Sequence, residues 1–485
     1  MTSSSLTQFV KQLSREGLLL RVGEPVQADL ELAEIARQLA ARHDGAVLFE
    51  QVADSELPVL ANALASEATI VRLLGVGSYD EFAARFEMLD THRQRRGWIE
   101  RLKSAPPVES LLEQFAPKSV KVGACQQVVL LGRDVNLHRL PIPRAWPAES
   151  RRAIHGARLV YARPRGGGRA ETNAVGIVAS ENQLALVDSA EQHIFAALRA
   201  AGERGERLPV AVVLGGDPLA NVLARLAEFH VFGDLDIESL CGLLRETPQE
   251  LVAGRTQPVE VPAEAELVLE GVVDPDTPAV ASGVFAAASG HYHERVECPV
   301  MQVTAITRRK DAIFPYVGGD GRSHEAAALR ELAARMLLAD LKRTTPEIVD
   351  LAFLPRAGHN QGLVVAIDKS YAGQGRKVAG AVWAHDGLMR VGMITVVDRH
   401  VPVRDTKEVM FCVAANVRPA GDLFRQQGPS DPLSGCGLEK WGLDATAKWP
   451  GEAQIAWPQE LSADRRVQRE IAARWGALGL PPVGE

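Results

Sequence analysis

The chain has 485 residues, more than a single hydrophobic core usually serves, and its length therefore predicts two or three domains. Apolar residues make up 46% of the chain and charged residues 24%, a composition typical of a globular protein and not of a disordered one. The formal net charge of −7 argues against a nucleic-acid-binding surface, which would need a basic stripe.

The first residues of the chain, 1–6, lack the basic start and apolar core of a signal peptide. No run of about 18 apolar residues indicates a membrane span. The sequence therefore predicts a cytoplasmic protein. Five cysteines lie scattered without CxxC spacing, which favours reduced core thiols over a disulfide framework or a zinc site.

Residues 1–115 are predicted to form an N-terminal α/β domain. Two stretches with the helical spacing of apolar residues and two short apolar runs typical of buried strands support it, at 6–16, 31–43, 46–50 and 58–62. Prolines at positions 106, 107 and 117 then interrupt the chain, and a domain boundary is expected near Ala116.

Residues 116–322 are predicted to form a β-rich middle domain. Strand patterns occur at 126–131, 157–162, 174–179, 210–214, 266–272 and 300–307, with helices at 191–201 and 219–227. Residues 323–485 begin with a strong helical pattern at 325–343 and continue with strands and helices in alternation. That alternation predicts a third, α/β domain with a mostly parallel sheet.

Five sequence blocks carry a resemblance to a known family. They are DVNLHRLPIP at 134–143, LPV to LGGDP at 208–218, IESLCGLLR at 237–245, PEIVD at 346–350, and KWGLDAT to KWPGE at 440–452. In this order they resemble the UbiD-type carboxy-lyases, decarboxylases that use prenylated flavin mononucleotide (FMN). A chance match of five ordered blocks is a poor explanation.

The resemblance implies a three-part α/β architecture: an N-terminal α/β domain, a central split β-barrel that holds the flavin, and a C-terminal α/β domain that assembles a homo-oligomer. It also implies prenylated FMN supplied by a flavin prenyltransferase, with Mn²⁺ and K⁺ holding the flavin phosphate. The substrate would be a small carboxylic acid, and the reaction that of a carboxy-lyase.

In the family, an Asn, a His and a Glu hold the metal, and a Lys contacts the cofactor. Glu238 lies at the family's Glu position, although an exposed acid at a helix start is the plainer alternative. His193 is the candidate imidazole, with a solvent-exposed histidine as the alternative. Lys440 matches the family's lysine, and a surface lysine is its alternative.

The Asn of the family falls on Ala174, with Asn173 one residue away. A shift of one residue along a strand reverses the direction of the side chain, so Asn173 is a candidate whose direction the sequence leaves open.

The catalytic positions of the family are substituted. Its substrate-binding Arg falls on Ala179, and its two loop acids fall on Ser282 and Ala287. Methyl groups neither bind a carboxylate nor donate a proton. Therefore none of the three reactive side chains is retained.

His291 and His293 follow the loop and are substitute proton donors, because imidazole titrates near neutral pH. If a strand begins there, both would share one face, as a metal pair or an acid-base pair would. The alternative is two histidines on the polar face of a strand, beside Glu294. Arg158 on a preceding strand could replace the missing carboxylate clamp.

Two functions follow from the resemblance. One is a non-oxidative decarboxylase, or reversible carboxylase, of an unsaturated or aromatic acid. The other is a non-catalytic or auxiliary subunit, whose chemistry is done by a second UbiD-like chain that has the acids and the arginine. A third interpretation is a flavin-binding or carrier protein.

Overall fold

The computed structural model of the chain describes residues 5–43, 45–94, 112–162, 169–188, 193–232, 235–294, 296–319, 321–354, 362–429, 439–453, 456–458, 461 and 464–479. Across these ranges, none of the helices combines the length and the apolar character needed to cross a membrane.

The N-terminal elements form a small sheet covered by helices. They are α1 Leu6–Arg15, β1 Leu19–Val22, α2 Glu31–Ala40, β2 Ala46–Phe49, β3 Val59–Ala61, α3 Glu67–Leu74 and α4 Tyr79–Gln94. Ser5 and Ser66 cap α1 and α3, because each hydroxyl accepts a hydrogen bond from an amide of the first turn. The sheet order is β1-β2-β3-β18, where β18, Phe314–Tyr316, pairs in parallel with β3. The sequence patterns described above do not predict this returning strand.

A closed barrel forms the centre of the molecule. Its strands and the flanking strand β5 are β5 Val128–Leu131, β6 Ala153–Ala162, β7 Arg169–Ser180, β8 Gln183–Asp188, β9 Leu208–Leu214, β12 Leu267–Val273 and β17 Val300–Arg308. Six strands follow the order β12-β9-β6-β7-β8-β17, and β12 pairs with β17 to close the barrel. Every one of these pairings is antiparallel. Alternate residues such as Leu159, Val212 and Leu269 fill its interior.

Short strands and three helices surround the barrel. The strands are β4 Lys118–Val120, β10 Glu250–Ala253, β11 Glu260–Pro262, β13 Val280–Ala281, β14 Phe285–Ala286, β15 Tyr292–His293 and β16 Glu297–Cys298. The helices are α5 His193–Gly202, α6 Pro218–Ala227 and α7 Ile237–Arg245. Asp217 caps α6 and Asp236 caps α7. Helix α6 packs against β6, β7 and α7, so α6 and α7 both lie on the outer face of the barrel.

The C-terminal part contains a five-stranded sheet with helices. Its elements are α8 His324–Thr344, β19 Ile348–Phe353, β20 Gly362–Ile367, α9 Gln374–Trp383, β21 Met393–Asp398, α10 Thr406–Asn416, α11 Pro419–Asp422, β22 Leu423–Gln427, β23 Glu439–Asp444 and α12 Arg465–Arg474.

The expectation of a mostly parallel C-terminal sheet is wrong. The strand order is β19-β20-β21-β23-β22, and only the two inner pairings are parallel. Both outer pairings are antiparallel. Only residues 354–361 separate β19 from β20, and a parallel pairing would need a longer crossover connection.

Helices α6 and α7 share one hydrophobic core with the N-terminal and C-terminal parts. Leu223 of α6 and Leu240 of α7 are buried in the same cluster as Phe9, Phe82 and Leu332. This packing holds the first turn of α7 against the barrel, where Glu238 lies.

Candidate functional site

Arg158 is the centre of a buried group of charges on the outer face of the barrel. It lies on β6, opposite Asn173 of β7 and Val213 of β9. Its Nη1 donates to Glu238 Oε1 at 2.7 Å and to Glu171 Oε1 at 3.1 Å. The side chains of Arg158 and Glu238 are each 1% exposed, so solvent does not screen this ion pair.

The strands and the helix explain why these groups meet. Glu171 lies two residues before Asn173 on β7, so its side chain leaves the same face of the sheet as that of Arg158. Glu238 lies in the first turn of α7, where the helix dipole favours an acid. Asp236 accepts a hydrogen bond from the Ser239 amide at 2.8 Å and fixes the start of that helix.

Arg169 adds a second guanidinium to the group. Its Nη2 lies 3.0 Å from Glu171 Oε2, 3.6 Å from Asp236 Oδ1 and 3.7 Å from Glu238 Oε1. Arg158, Arg169, Glu171, Asp236 and Glu238 are called the arginine–carboxylate cluster below.

Burial shifts the pKa values within this cluster. Burial is the largest influence on the pKa of Glu171 and raises it, although the charges of Arg158 and Arg169 oppose that shift. Burial is also the largest influence on Arg158 and lowers its pKa, but Glu171 and Glu238 outweigh it and the net pKa is raised. Arg158 therefore stays charged.

Several polar atoms of the cluster and its neighbour Asn173 have no hydrogen-bond partner among the described residues. They are Nε and Nη2 of Arg158, Nη1 of Arg169 and Oδ1 of Asn173, and all four are buried. The Asn173 amide instead uses its Nδ2, which donates to the Ala224 carbonyl of α6 at 2.8 Å. Asn173 thus lies beside the cluster, on the same face as Arg158.

The residues that the structure describes do not fit a divalent metal at Glu238. They contain no group of three His, Cys, Asp or Glu side chains that could hold a metal ion, and the Glu238 carboxylate is engaged by the Arg158 guanidinium. A cation at the same oxygen would face a positive charge at contact distance. His193 is the first residue of α5, but its side chain lies outside the described part of the chain.

Lys440 lies on β23, in the C-terminal sheet. Its amine donates to the backbone carbonyl of Met389, and the side chain is buried. Burial, followed by the nearby charge of Arg390, lowers the pKa of Lys440. The Lys440 amine is therefore hydrogen-bonded within the C-terminal part of the chain.

The loop at 282–290 has the form of a structural turn. The Ser282 hydroxyl is buried, donates to the Gly283 carbonyl at 2.8 Å and accepts from the Val296 amide at 3.0 Å. Ala287 is buried in an apolar cluster with Phe285 and Ile177. Ala179 is partly buried, at a bulge of β7 between Val178 and Ser180.

Glu149, which the sequence analysis did not single out, holds this loop from the other side. Its Oε1 accepts from the Ala286 amide at 3.2 Å, and its Oε2 accepts from the Ala145 and Trp146 amides at 2.8 and 3.0 Å. Burial raises its pKa against the effect of those hydrogen bonds. The only sequence signal was its position just after the DVNLHRLPIP block. Both oxygens are occupied by amides, so its role is to hold backbone.

His291 and His293 have different surroundings. Strand β15 begins at Tyr292, so His291 precedes it, is exposed, and has its Nδ1 3.1 Å from the Ser289 carbonyl. His293 is half-buried and faces Phe285 across the strands, with 6.0 Å between ring centroids. His293 is therefore the histidine that packs on the loop.

His155 lies on β6, the strand that carries Arg158, and gives a pH-dependent prediction. It is buried on β6, and burial, followed by the charge of Arg225, lowers its pKa to about 4. Protonation of His155 therefore favours the unfolded chain. The stability that the neutral His155 contributes is fully present above pH 6.5 and is lost as the pH falls towards 4. Between pH 7.5 and 4.5 we expect the wild type to lose about 2.5 kcal/mol more than His155→Gln in urea unfolding. An equal loss in both proteins would contradict the prediction.

Comparison with known proteins identifies the family. Residues 10–87, 118–321 and 327–445 match the N-terminal, Rift-related and C-terminal domains of 3-octaprenyl-4-hydroxybenzoate carboxy-lyase, UbiD. An uncharacterized protein of Aquifex aeolicus is 32% identical over 98% of each chain.

Solved structures share the fold. HmfF of Pelotomaculum thermopropionicum, in complex with FMN, is 23% identical with a TM-score of 0.77, over 97% of this chain and 99% of that one. The closed vanillic acid decarboxylase of Sedimentibacter hydroxybenzoicus is 22% identical with a TM-score of 0.78, over 99% of both chains. The predicted three-part architecture is confirmed by the closed barrel and the three matched domains. The chain belongs to the UbiD carboxy-lyase family.

Proposed function

We propose that this chain is an auxiliary UbiD-type protein that binds a flavin nucleotide but does not complete a decarboxylation by itself. A second UbiD-like chain with the arginine and the acids would bind the carboxylic acid and do the chemistry. The observation that carries the proposal is the loop at 282–290, which contains no acid and whose Ser282 hydroxyl is hydrogen-bonded to the backbone of Gly283 and Val296.

Decarboxylation needs an electron sink, a group that holds the carboxylate, and a proton donor. A flavin would supply the sink. The Ala179 and Ala287 side chains supply neither of the other two functions, and the Ser282 hydroxyl is already bonded to backbone. The apolar surroundings of Ala287 also make an ionised substrate carboxylate costly at that point.

A flavin is proposed because of the chain's family and its structural neighbours. HmfF was solved with FMN and, in an evolved dimeric form, with prenylated FMN. Mn²⁺ and K⁺ are left out of the proposal, because Arg158 already neutralises Glu238. From the family, we also propose that the chain forms a homo-oligomer and that a flavin prenyltransferase supplies its cofactor.

The test is to co-express the chain with a flavin prenyltransferase and purify it. The bound ligand is identified by absorbance and mass spectrometry, and turnover is followed by chromatography of a panel of aromatic and unsaturated acids. We expect bound flavin, no loss of any acid above the buffer rate, and co-purification from the native host of a second UbiD-like chain. Decarboxylation by the isolated chain would overturn the proposal.

The packing of His293 on Phe285 favours one second candidate, a decarboxylase in which His293 donates the proton. If the isolated chain turns over an acid, His293→Ala should abolish the reaction. His291→Ala is the matched control, because His291 is exposed and bonded within its own turn. Unchanged rates in both variants would remove the second candidate.

A further inference from the structure

Three buried guanidinium donors of the arginine–carboxylate cluster point to a ligand. Nε and Nη2 of Arg158 and Nη1 of Arg169 have no partner among the described residues. Leaving a buried donor without a hydrogen bond costs about 1–3 kcal/mol, and more for a charged group. Native proteins rarely leave such donors unsatisfied, so acceptors are expected beside them.

The two free donors of Arg158 form one edge of its guanidinium group. Nη1 is occupied by Glu238 and Glu171 on the other side. The N–H groups of Nε and Nη2 are parallel and match two oxygens of a carboxylate or a phosphate. This free edge is preformed for binding, because the ion pairs fix the orientation of the Arg158 side chain.

At Gly216 the backbone approaches this edge without an intervening side chain. A Cβ on Gly216 would lie 3.8 Å from Arg158 Nη2 and 3.6 Å from the Ala265 Cα, so the glycine places no side chain there. Gly215 and Gly216 both have positive φ angles, of +73° and +93°, which favour glycine. The turn before α6 is thus shaped so that backbone, not side chain, approaches the arginine.

The charges of the cluster allow an anion to bind. Its buried members, Arg158, Arg169, Glu171 and Glu238, balance one another in formal charge. The fifth member, Asp236, has a side chain that is 38% exposed and is screened by solvent. Both arginines keep free donors after these pairings, and an anion would use those donors without displacing a carboxylate.

We propose that the free edge of Arg158, together with Arg169, binds the phosphoryl group of the flavin nucleotide directly, without a divalent metal at Glu238. The identity of the nucleotide rests on the proposed function, whereas the anion site does not. Arg158 is a binding residue here, and Glu238 positions it.

The experiment is calorimetric titration of the full-length, flavin-free protein with FMN, riboflavin and inorganic pyrophosphate, each in EDTA and in Mn²⁺. We expect the FMN dissociation constant to agree within about 2-fold in the two buffers, and riboflavin to bind at least about 10-fold more weakly. Loss of FMN binding in EDTA, or equal binding of FMN and riboflavin, would overturn the inference.

The three ligands separate the two proposals. Binding of pyrophosphate without FMN would keep the anion site and reject the flavin function. Equal, metal-independent binding of FMN and riboflavin would keep the flavin function and reject the anion site. No binding of any ligand would mean that water satisfies the arginine donors, and would reject both.

Arg158→Lys is the informative variant, because it keeps the charge beside Glu238 and Glu171 but removes the paired N–H edge. We expect an FMN affinity about 10-fold lower, with riboflavin affinity unchanged. Arg207→Lys is the control, since Arg207 is exposed and pairs with Asp274 away from the cluster. A variant that merely unfolds would lose both ligands, and an unchanged FMN affinity in Arg158→Lys would contradict the inference.

Discussion

Replacing Glu238 by Ala is expected to destabilise the protein by about 3–5 kcal/mol, because it leaves the charge of Arg158 buried with only part of its compensation. The 2.7 Å hydrogen bond between Arg158 Nη1 and Glu238 Oε1 is lost, while the arginine stays fixed on β6. Chemical unfolding followed by circular dichroism measures the loss.

Glu206→Ala is the matched control for that prediction. Arg204 and Glu206 form an ion pair at the same distance, 2.7 Å, but their side chains are 40% and 59% exposed. Removal of this pair should cost less than about 1 kcal/mol. The double variant Arg158→Met/Glu238→Met should be more stable than Glu238→Ala, because no unpaired charge remains. Equal losses in Glu206→Ala and Glu238→Ala would show that Arg158 is not held by Glu238.

Asp217→Ala is also expected to lower the free energy of unfolding by about 3–5 kcal/mol, because the Asp217 carboxylate makes two separate interactions. Asp217 caps α6 by accepting from the Leu219 amide at 2.9 Å. It also binds Arg245 of α7 through two hydrogen bonds, at 2.6 and 2.9 Å, and both side chains are at most 5% exposed. The variant therefore loosens α6 from α7 and removes the carboxylate that binds the buried guanidinium of Arg245.

Two further variants divide these effects. Asp217→Asn can still cap the helix but has no charge, so its stability should lie between those of the wild type and Asp217→Ala. Asp274→Ala breaks the 2.8 Å pair with the exposed Arg207 and should cost less than about 1 kcal/mol in the same unfolding assay. If Asp217→Asn were as stable as the wild type, the charge of Asp217 would not contribute.

The barrel could be predicted from the sequence because its strands have local signals. Runs such as 210–214 and 300–307 are apolar and bounded by turn residues, and the strands β9 and β17 lie there. Whether strands pair in parallel depends on connection length and order in the sheet. For that reason, the antiparallel edges of the C-terminal sheet and the return of β18 to the first sheet have no local sequence signal.

The candidate site was only partly predictable. Block order led to Glu238, and the loop at 282–290 could be identified by its missing acids. The partner of Glu238 could not be found in this way, because Arg158 is 80 residues away and meets it only through the packing of α7 on the barrel. Glu149 was missed for the same reason, since its contact with the Ala286 amide joins residues 137 positions apart.

The central claim is that an arginine of the chain provides the cation at Glu238. The most direct measurement is the ratio of metal to flavin, by elemental analysis, in protein purified with bound flavin from medium containing manganese. We expect far less than one Mn²⁺ per flavin, with no change in Glu238→Gln. One Mn²⁺ per flavin in the wild type, lost in Glu238→Gln, would show that Glu238 binds a metal and would contradict the claim.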